Sequence, residues 1–145
     1  DVTIQAQIIE LMQKLNRELA TSIILISHDL GVVAGLCGRV IVMYAGQIVE
    51  TAGVEELFAN PRHPYTLGLR DSVPRLDKKV GKLRSIQGQP PDLLSPPGGC
   101  AFKNRCSSAM RICEQQPPIF TVKPGHLSRC WLEHPERWAK EGDPV

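Results

Sequence analysis

Apolar and polar positions along the first thirty residues follow two successive patterns. In the segment TIQAQIIELMQKLNRELA, apolar residues recur every three or four positions and form one stripe of a helix: Ile4, Ile8, Leu11, Met12, Leu15 and Leu19. Thr3 is a suitable N-cap for this helix. The next segment, TSIILIS, is short, continuously apolar and rich in β-branched residues, which is typical of a strand buried on both faces. Together the patterns predict a helix that packs against a sheet.

Shorter elements follow as far as Pro61. SHDLGVVAGLC predicts the opening of a short helix, and RVIVMY and QIVETA predict two strands joined by the small-residue turn AG. VEELFAN predicts a further short helix that is stopped by Pro61. This order of elements is α/β, but one central strand and a hairpin cannot bury a sizeable core. We therefore expect the C-terminal piece of a larger α/β domain whose remaining sheet is missing.

Charge and proline content divide the chain into two parts. Residues 1–60 contain three Lys+Arg and seven Asp+Glu, whereas residues 61–145 contain 14 and eight, and all twelve prolines follow position 60. We predict an α/β part at 1–60, a helical hinge or linker at 61–87 and an irregular, Pro- and Cys-rich extension at 88–145. Within the linker, NPRHPYTLGL is turn-rich and then helical.

Neither a nucleic-acid site nor export is indicated. The basic run KKVGKLR at 78–84 has no interleaved aromatic residues that would stack on bases, so it is typical of a solvated surface. The start, DVTIQAQIIE, lacks the order of a signal peptide, and no segment approaches the roughly 18 to 20 apolar residues of a membrane helix. We therefore expect a cytosolic location, where thiols stay reduced.

Four of the five cysteines lie in the extension, namely Cys100, Cys106, Cys113 and Cys130. Cys37 lies in an apolar segment and is expected to be a small buried hydrophobic residue. Four thiolates suit zinc or an iron–sulfur cluster, but the set contains no close pair like those of structural zinc sites, and its spacing differs from the common ferredoxin runs. Zinc, a cluster, and disulfides or free thiols therefore stay open on spacing alone. His126 is an alternative ligand, but the segment GHLSRC favours a loop histidine.

Longer stretches resemble a known family. DVTIQAQIIELMQKL, followed by IILISHDLGVVAGLCGRVIVMYAGQIVETA, resembles the end of an ABC-transporter ATP-binding subunit. NPRHPYTLGL, IQGQPPDLLSPPGGCAFKNRC and HLSRC resemble the extension of the oligopeptide/dipeptide and nickel importer branch. The resemblance implies the C-terminal portion of an ATP-hydrolysing subunit that drives peptide import, with nickel as the alternative substrate. It also implies that His63 and Tyr65 belong to a hinge and packing motif.

Two residues carry ATP chemistry by this resemblance. Asp1 matches the D-loop aspartate, which contacts the facing subunit across the nucleotide sandwich, and His28 matches the switch histidine, which reaches the γ-phosphate and the attacking water. His28 also follows the C-terminal end of the predicted strand, where open α/β sheets place their ligands. An imidazole there can donate a hydrogen bond to developing phosphate charge. The sequence thus predicts that His28 is catalytic in the parent protein.

The 145 residues contain no phosphate-binding loop of the form G-x-x-x-x-G-K-S/T (Walker A). Their single Gly-Lys pair, Gly81-Lys82, is followed by Leu83. By the resemblance, the acidic magnesium and base residues (Walker B) and the signature motif precede residue 1. We expect ATP and Mg²⁺ to bind in the full-length parent only, and residues 1–145 alone to hydrolyse no ATP.

The resemblance also implies a cofactor and a set of partners. The cofactor is a four-iron (4Fe-4S) cluster held by the four cysteines of the extension, with Zn²⁺ or no metal as the alternatives. The partners are a second ATP-binding subunit and two transmembrane permease subunits at the cytoplasmic face of the membrane, with peptide handled by other subunits. Without its sheet, the piece is expected to form a homo-oligomer through residues 1–60. The competing hypothesis is a stand-alone metal-cluster or redox-sensing module, which would not require His28 after a strand.

Overall fold

The structure, a computed structural model, describes residues 2–72 and 86–136. Its longer elements are, in chain order, α1 (Val2–Leu19), α2 (Leu30–Leu36), β1 (Arg39–Tyr44), β2 (Gln47–Gly53), α3 (Val54–Ala59), α4 (Pro64–Asp71), β3 (Phe120–Lys123) and β4 (His126–Ser128). Three short 3-10 helices lie at Lys103–Arg105, Arg111–Glu114 and Trp131–Glu133. Within these two ranges, no helix combines the length and the apolar character needed to cross a bilayer.

Helix α1 confirms the helical spacing of the first segment but not the sheet beneath it. Its apolar stripe stays largely exposed, with Ile4 at 56% and Leu19 at 63% of full accessibility. The main contacts of α1 are with α2, where the Gln13 side-chain amide donates to the Gly35 carbonyl at 2.7 Å. The predicted packing of α1 against a sheet is therefore wrong for the described residues.

The predicted strand TSIILIS does not form. Residues 20–28 have no strand hydrogen bonds, and Ile24 and Ile26 are 91% and 94% exposed. Leu25, between them, packs partly against the core. A strand buried on both faces needs hydrogen-bonded neighbours and a covering layer on each face. The described residues supply neither, so this prediction fails for lack of partners rather than for lack of β propensity.

The hairpin is confirmed. Strands β1 and β2 pair antiparallel, with Val42 opposite Glu50 and a register shift directly after Val42. Ala45 and Gly46 form the turn with φ values of 49° and 75°, the left-handed conformation that a two-residue hairpin turn requires. Exposed and buried positions alternate along β1, so that one face of the hairpin lies on the core: Val40, Val42 and Tyr44.

The three short helices also lie where the sequence predicts them. Helix α2 begins at its N-cap Asp29, whose Oδ1 accepts the Gly31 N–H at 2.8 Å. Helix α3 ends at Ala59, just before Pro61. Helix α4 has Pro64 at its first position, which suits a residue that lacks an N–H to donate.

The extension contributes two strands that the sequence did not predict. Strand β4 pairs antiparallel with β2, with Glu50 opposite Ser128, and β3 pairs with β4, which gives the sheet order β1-β2-β4-β3. The prediction of an irregular extension is wrong over these strands, whereas residues 86–99 form neither helix nor strand. Strands β3 and β4 have four and three residues, too few for an alternating pattern to be recognised.

The core is shared between the hairpin, the short helices and the extension. Its buried hydrophobic residues are Val33, Val40, Val42, Tyr44, Val49, Ala52, Leu57 and Phe102. Phe102, from the extension, is 3% exposed, and its ring centroid lies 5.1 Å from that of Tyr44 and 5.4 Å from that of Tyr65. Aromatic pairs at these separations add to the burial of apolar surface. The extension thus completes a core that begins in the hairpin.

Candidate functional site

All four cysteines of the extension line one cavity. Cys100 and Cys106 lie on either side of the first 3-10 helix, Cys113 lies in the second, and Cys130 directly precedes the third. The thiols of all four are free. The structure therefore brings together the four residues that the sequence singled out, and Cys37 is not among the residues that line this cavity.

Backbone contacts fix the loops that carry these thiols. Gly99 has φ +76°, and a Cβ at this position would lie 2.4 Å from the Cys113 carbonyl oxygen. The next residue, Cys100, donates its N–H to that same oxygen at 2.9 Å. The Met110 N–H lies 3.4 Å from the Cys113 sulfur. Glycine at position 99 is therefore what allows two cysteine-bearing turns to lie against each other.

Burial disfavours the charged thiolate form of three of these cysteines. Burial raises the pKa of Cys100 and Cys106, and it raises that of Cys130 to about 12, with further increases from the neighbouring cysteines. A metal that binds here must displace thiol protons, so its affinity depends on pH.

The cysteine set fits a metal in kind and number, but a single ion has no ready-made position. Four cysteine sulfurs are the ligand set of both zinc sites and iron–sulfur clusters. In residues 2–72 and 86–136, no group of three or more His, Cys, Asp or Glu side chains is arranged to hold a metal ion. The four thiols thus surround a common space without converging on one point.

His63 lies at the same cavity. Its side chain is 1% exposed, and its Nδ1 accepts the Tyr65 N–H at 3.1 Å, which caps helix α4. Burial lowers the pKa of His63 to about 4, so the ring is neutral at physiological pH. The family resemblance implied a packing role for His63 and Tyr65, and the ring contacts with Phe102 agree with it. Proximity to the cysteines was not predictable, because 37 positions separate His63 from Cys100 in the chain.

A second buried cluster joins the hairpin to the extension. His126 is 1% exposed, with Nε2 at 2.8 Å from Glu50 Oε1 and Nδ1 at 3.3 Å from Glu56 Oε1. The Glu50 carboxylate also accepts the backbone N–H groups of Arg62 at 2.7 Å and of His63 at 2.9 Å. A carboxylate oxygen thus faces each nitrogen of the His126 ring. The interpretation of His126 as a loop histidine is wrong, since it lies in β4 and is buried.

Charged pairs surround this cluster at its edge. Lys123 lies 2.6 Å from Glu56, and its hydrogen bond is the largest cause that lowers the pKa of Glu56. The Arg62 guanidinium donates twice to Glu133, from Nε at 3.1 Å and from Nη2 at 2.8 Å. Each pair connects a residue of 50–62 to a residue beyond 120, so the cluster fastens the extension to the hairpin. Its members form no recognisable sequence motif, so their contacts could not be predicted from the sequence.

The predicted ATP residues lie apart from both clusters. His28 is exposed and directly precedes Asp29, the N-cap of α2. Asp29 in turn donates its N–H to the Ser27 hydroxyl at 3.0 Å. Asp1 lies outside the described residues. The roles of His28 and Asp1 stay predictions.

Two comparisons bear on this geometry. Residues 49–113 match the family described as oligopeptide/dipeptide transporter, C-terminal region. The chain is 56% identical over 138 residues to the oligopeptide transport ATP-binding protein OppD of Bacillus subtilis and 54% identical over 136 residues to the dipeptide transport ATP-binding protein DppD of Lactococcus lactis. It is 50% identical over 131 residues to OppD of Salmonella typhimurium. The matches cover 94%, 93% and 90% of this chain but 38%, 39% and 39% of the relatives, so the chain spans less than half of their length.

Proposed function

We propose that the chain is the C-terminal portion of the ATP-hydrolysing subunit of an ABC peptide importer. Its residues 49–113 match the C-terminal region of the oligopeptide/dipeptide transporter family. The observation that carries the proposal is the identity of 50% or more, over nine-tenths of the chain, to proteins named for oligopeptide or dipeptide transport and ATP binding. Nickel is the alternative substrate, and the names of these relatives favour peptide over nickel.

Three segments divide the work in this proposal. Residues 1–60 are the C-terminal part of the ABC ATP-binding domain, 61–87 are a helical hinge, and 88–145 are the importer-type extension. The pairing of β2 with β4 and the Glu50–His126 contact support an extension that is fastened to the ATP-binding part rather than tethered by the hinge alone.

His28 is the catalytic residue of this proposal. Its exposed ring leaves it accessible to a nucleotide, and the capped start of α2 fixes the backbone directly after it. There the imidazole would donate to the γ-phosphate and orient the attacking water, while Asp1 contacts the facing subunit across the nucleotide sandwich. ATP and Mg²⁺ belong to the full-length protein, because the 145 residues lack a Walker A loop and should be inactive alone.

The proposed partners are a second ATP-binding subunit and two transmembrane permease subunits. The subunit would lie at the cytoplasmic face of the membrane as a peripheral component, with peptide recognised elsewhere in the assembly. On their own, residues 1–145 should associate with copies of themselves through residues 1–60, since the α1 stripe and the 20–28 segment expose apolar side chains. A stable monomer in sedimentation at high micromolar concentration would contradict that association.

The test of the function uses the full-length subunit assembled with its transporter. We expect His28→Ala to reduce ATP hydrolysis and labelled-peptide uptake severely while nucleotide binding is kept, and His134→Ala to leave both activities unchanged. Wild-type membranes that take up ⁶³Ni but no di- or oligopeptide would replace peptide by nickel as the substrate. Unimpaired hydrolysis by His28→Ala would remove His28 from the mechanism.

The cysteine cavity supports a further part of the proposal, a 4Fe-4S cluster held by Cys100, Cys106, Cys113 and Cys130. A zinc ion requires all four sulfurs within about 2.3 Å of one point, whereas a cluster gives each cysteine its own iron and so suits thiols that surround a space. When bound, the cluster would supply four metal–sulfur bonds that cross-link the loops. The chain's part is to present the thiols on turns already fixed through Gly99 and Cys113.

Metal analysis of anaerobically purified protein tests the cluster. We expect iron and sulfide in equal amounts, about four per chain as a 4Fe-4S cluster requires, with loss of iron when any of the four cysteines is replaced by serine. Cys37→Ser is the matched control and should keep its iron. Zinc at one per chain without iron would favour the zinc alternative. If wild-type protein contains the cluster but the serine variants transport peptide normally, a separate redox-sensing role would be favoured.

A further inference from the structure

His63 is held rigidly at the wall of the cysteine cavity. Three contacts fix it: its backbone N–H donates to Glu50 Oε2 at 2.9 Å, its Nδ1 accepts the Tyr65 N–H at 3.1 Å, and its ring lies 5.8 Å from that of Phe102. Its side chain is almost fully buried, and the cavity it lines is the one that holds all four cysteines of the extension. These contacts hold the imidazole in one orientation beside the cavity.

The contact at Nδ1 determines which nitrogen carries the proton. A neutral imidazole has one N–H and one acceptor nitrogen. Because Nδ1 accepts the Tyr65 N–H, the hydrogen of the ring is on Nε2. Nε2–H is therefore the donor that His63 can offer to a group in the cavity.

Cysteine sulfurs bound to iron are anionic and accept hydrogen bonds. A donor beside them stabilises the reduced cluster, which carries one more negative charge, more than the oxidised cluster. We propose that His63 is a positioning residue of the cysteine site, which donates an Nε2–H hydrogen bond to a cysteine sulfur and thereby raises the reduction potential of the bound cluster. This inference rests on the cluster proposed above.

The chain contains a second histidine with the same local geometry. His134 also precedes a proline, and its Nδ1 accepts the N–H two residues onward, that of Glu136, at 3.2 Å. Its ring packs against Phe120 and Trp131, with centroids at 5.7 Å and 6.0 Å. His134 is not among the residues that line the cysteine cavity. His134 shares the Nδ1 contact of His63 but does not line the cavity of the thiols, and so it is the matched control.

Two substitutions separate capping from donation. In His63→Asn, the amide oxygen can accept the Tyr65 N–H, but the short side chain cannot place a donor where Nε2 lies. In His63→Gln, the amide nitrogen reaches about the position of Nε2, but the cap is weakened, because Gln is not a favoured N-cap residue. The control is His134→Asn.

The measurements are iron content and a dithionite redox titration followed by electron paramagnetic resonance, on the full-length protein purified anaerobically. At the midpoint potential of wild type, we expect the ratio of reduced to oxidised cluster in His63→Asn to be about tenfold lower, as loss of one hydrogen bond to a charged group predicts. His63→Gln should lie close to wild type, and His134→Asn should equal it. A ¹⁵N coupling from labelled histidine in the reduced wild-type cluster should vanish in His63→Asn.

The outcomes distinguish this inference from the cluster on which it rests. Wild-type protein without iron overturns both. Iron-loaded His63→Asn with an unchanged titration and an unchanged ¹⁵N coupling overturns the role of His63 alone. Loss of iron in His63→Asn but not in His63→Gln supports the role of His63 as a hydrogen-bond donor. The variant that keeps the helix cap but lacks the donor is then the one that loses the cluster. Loss of iron in both variants overturns it in favour of a purely structural histidine.

Discussion

Residues 2–28 are more exposed, and the cysteine-bearing extension is more buried, than their compositions suggest. The first region has the apolar stripe of α1 and the continuously apolar run at 23–26, yet Ile24 and Ile26 are more than nine-tenths exposed. The extension is rich in proline, glycine and cysteine, yet it buries Phe102 and His126 to within 3% and 1% exposure. Apolar pattern thus measures how much a segment gains by burial. Whether burial occurs depends on partners in the same chain.

The largest expected change in stability is that of Phe102→Ala, which tests this comparison directly. Phe102→Ala removes a ring that packs against Tyr44 and Tyr65, and should lower the free energy of unfolding by about 3–5 kcal/mol. Ile26→Ala, in the apolar segment TSIILIS, should change it by less than about 0.5 kcal/mol. Urea denaturation followed by circular dichroism measures both. A larger loss for Ile26→Ala than for Phe102→Ala would break the comparison.

The second-largest change in stability is expected at the buried carboxylate of Glu50. Glu50→Gln replaces an anion that accepts from two backbone N–H groups and from His126, and we expect a loss of about 2–3 kcal/mol. Glu55→Gln is the control, since Glu55 is exposed on α3. Equal stability of the two variants in the same denaturation experiment would mean that Glu50 does not fasten the extension.

A substitution at Gly99 tests the close contact between the two cysteine-bearing turns. Ala at this position would need a left-handed φ and would place its Cβ 2.4 Å from the Cys113 carbonyl oxygen, so Gly99→Ala should cost about 1–3 kcal/mol and slow metal uptake. Gly98→Ala, with no atom within 4 Å of the new Cβ, is the adjacent control. If the two alanine variants have the same unfolding midpoint, then the contact between the two turns is not required.

The smallest effect concerns pH. The pKa of Glu56 is lowered in the folded protein, chiefly by its hydrogen bond with Lys123, so the stability it contributes is complete above its ordinary value of 4.5 and is lost as pH falls through the folded value. Lys123→Met should move the Glu56 titration toward 4.5 in carboxyl NMR. Lys14→Met, which removes the exposed Lys14–Glu18 pair, should leave that titration unchanged. An unchanged Glu56 titration in Lys123→Met would contradict the assigned cause.

Local signals predicted the local elements. Helical spacing predicted α1, two strand-like runs around Ala45-Gly46 predicted the hairpin, and Pro61 marked the end of α3. Helix and hairpin contacts join residues close in sequence, so a pattern over a short window is enough to find them.

Long-range pairings could not be predicted in the same way. Strand β4 has three residues and forms because β2 offers it an edge, and Glu50 and His126 meet across 76 positions. No window of the sequence contains both partners. For the candidate site, the cysteines could be identified by residue type and count, but the shared cavity and the presence of His63 in its wall depend on how three separate turns pack against α4.

The antiparallel pairing of β2 with β4 also sets an order of events on the ribosome. At about 5–20 residues per second, the 76 positions between Glu50 and His126 take roughly 4–15 seconds to synthesise. During that interval the hairpin has emerged with one edge of β2 unpaired and with Glu50 lacking the imidazole it will later contact. An open strand edge is a template for association with other nascent chains. Strand β4 therefore acts late in biogenesis, as the step that closes this edge of β2 and ends the period of exposure.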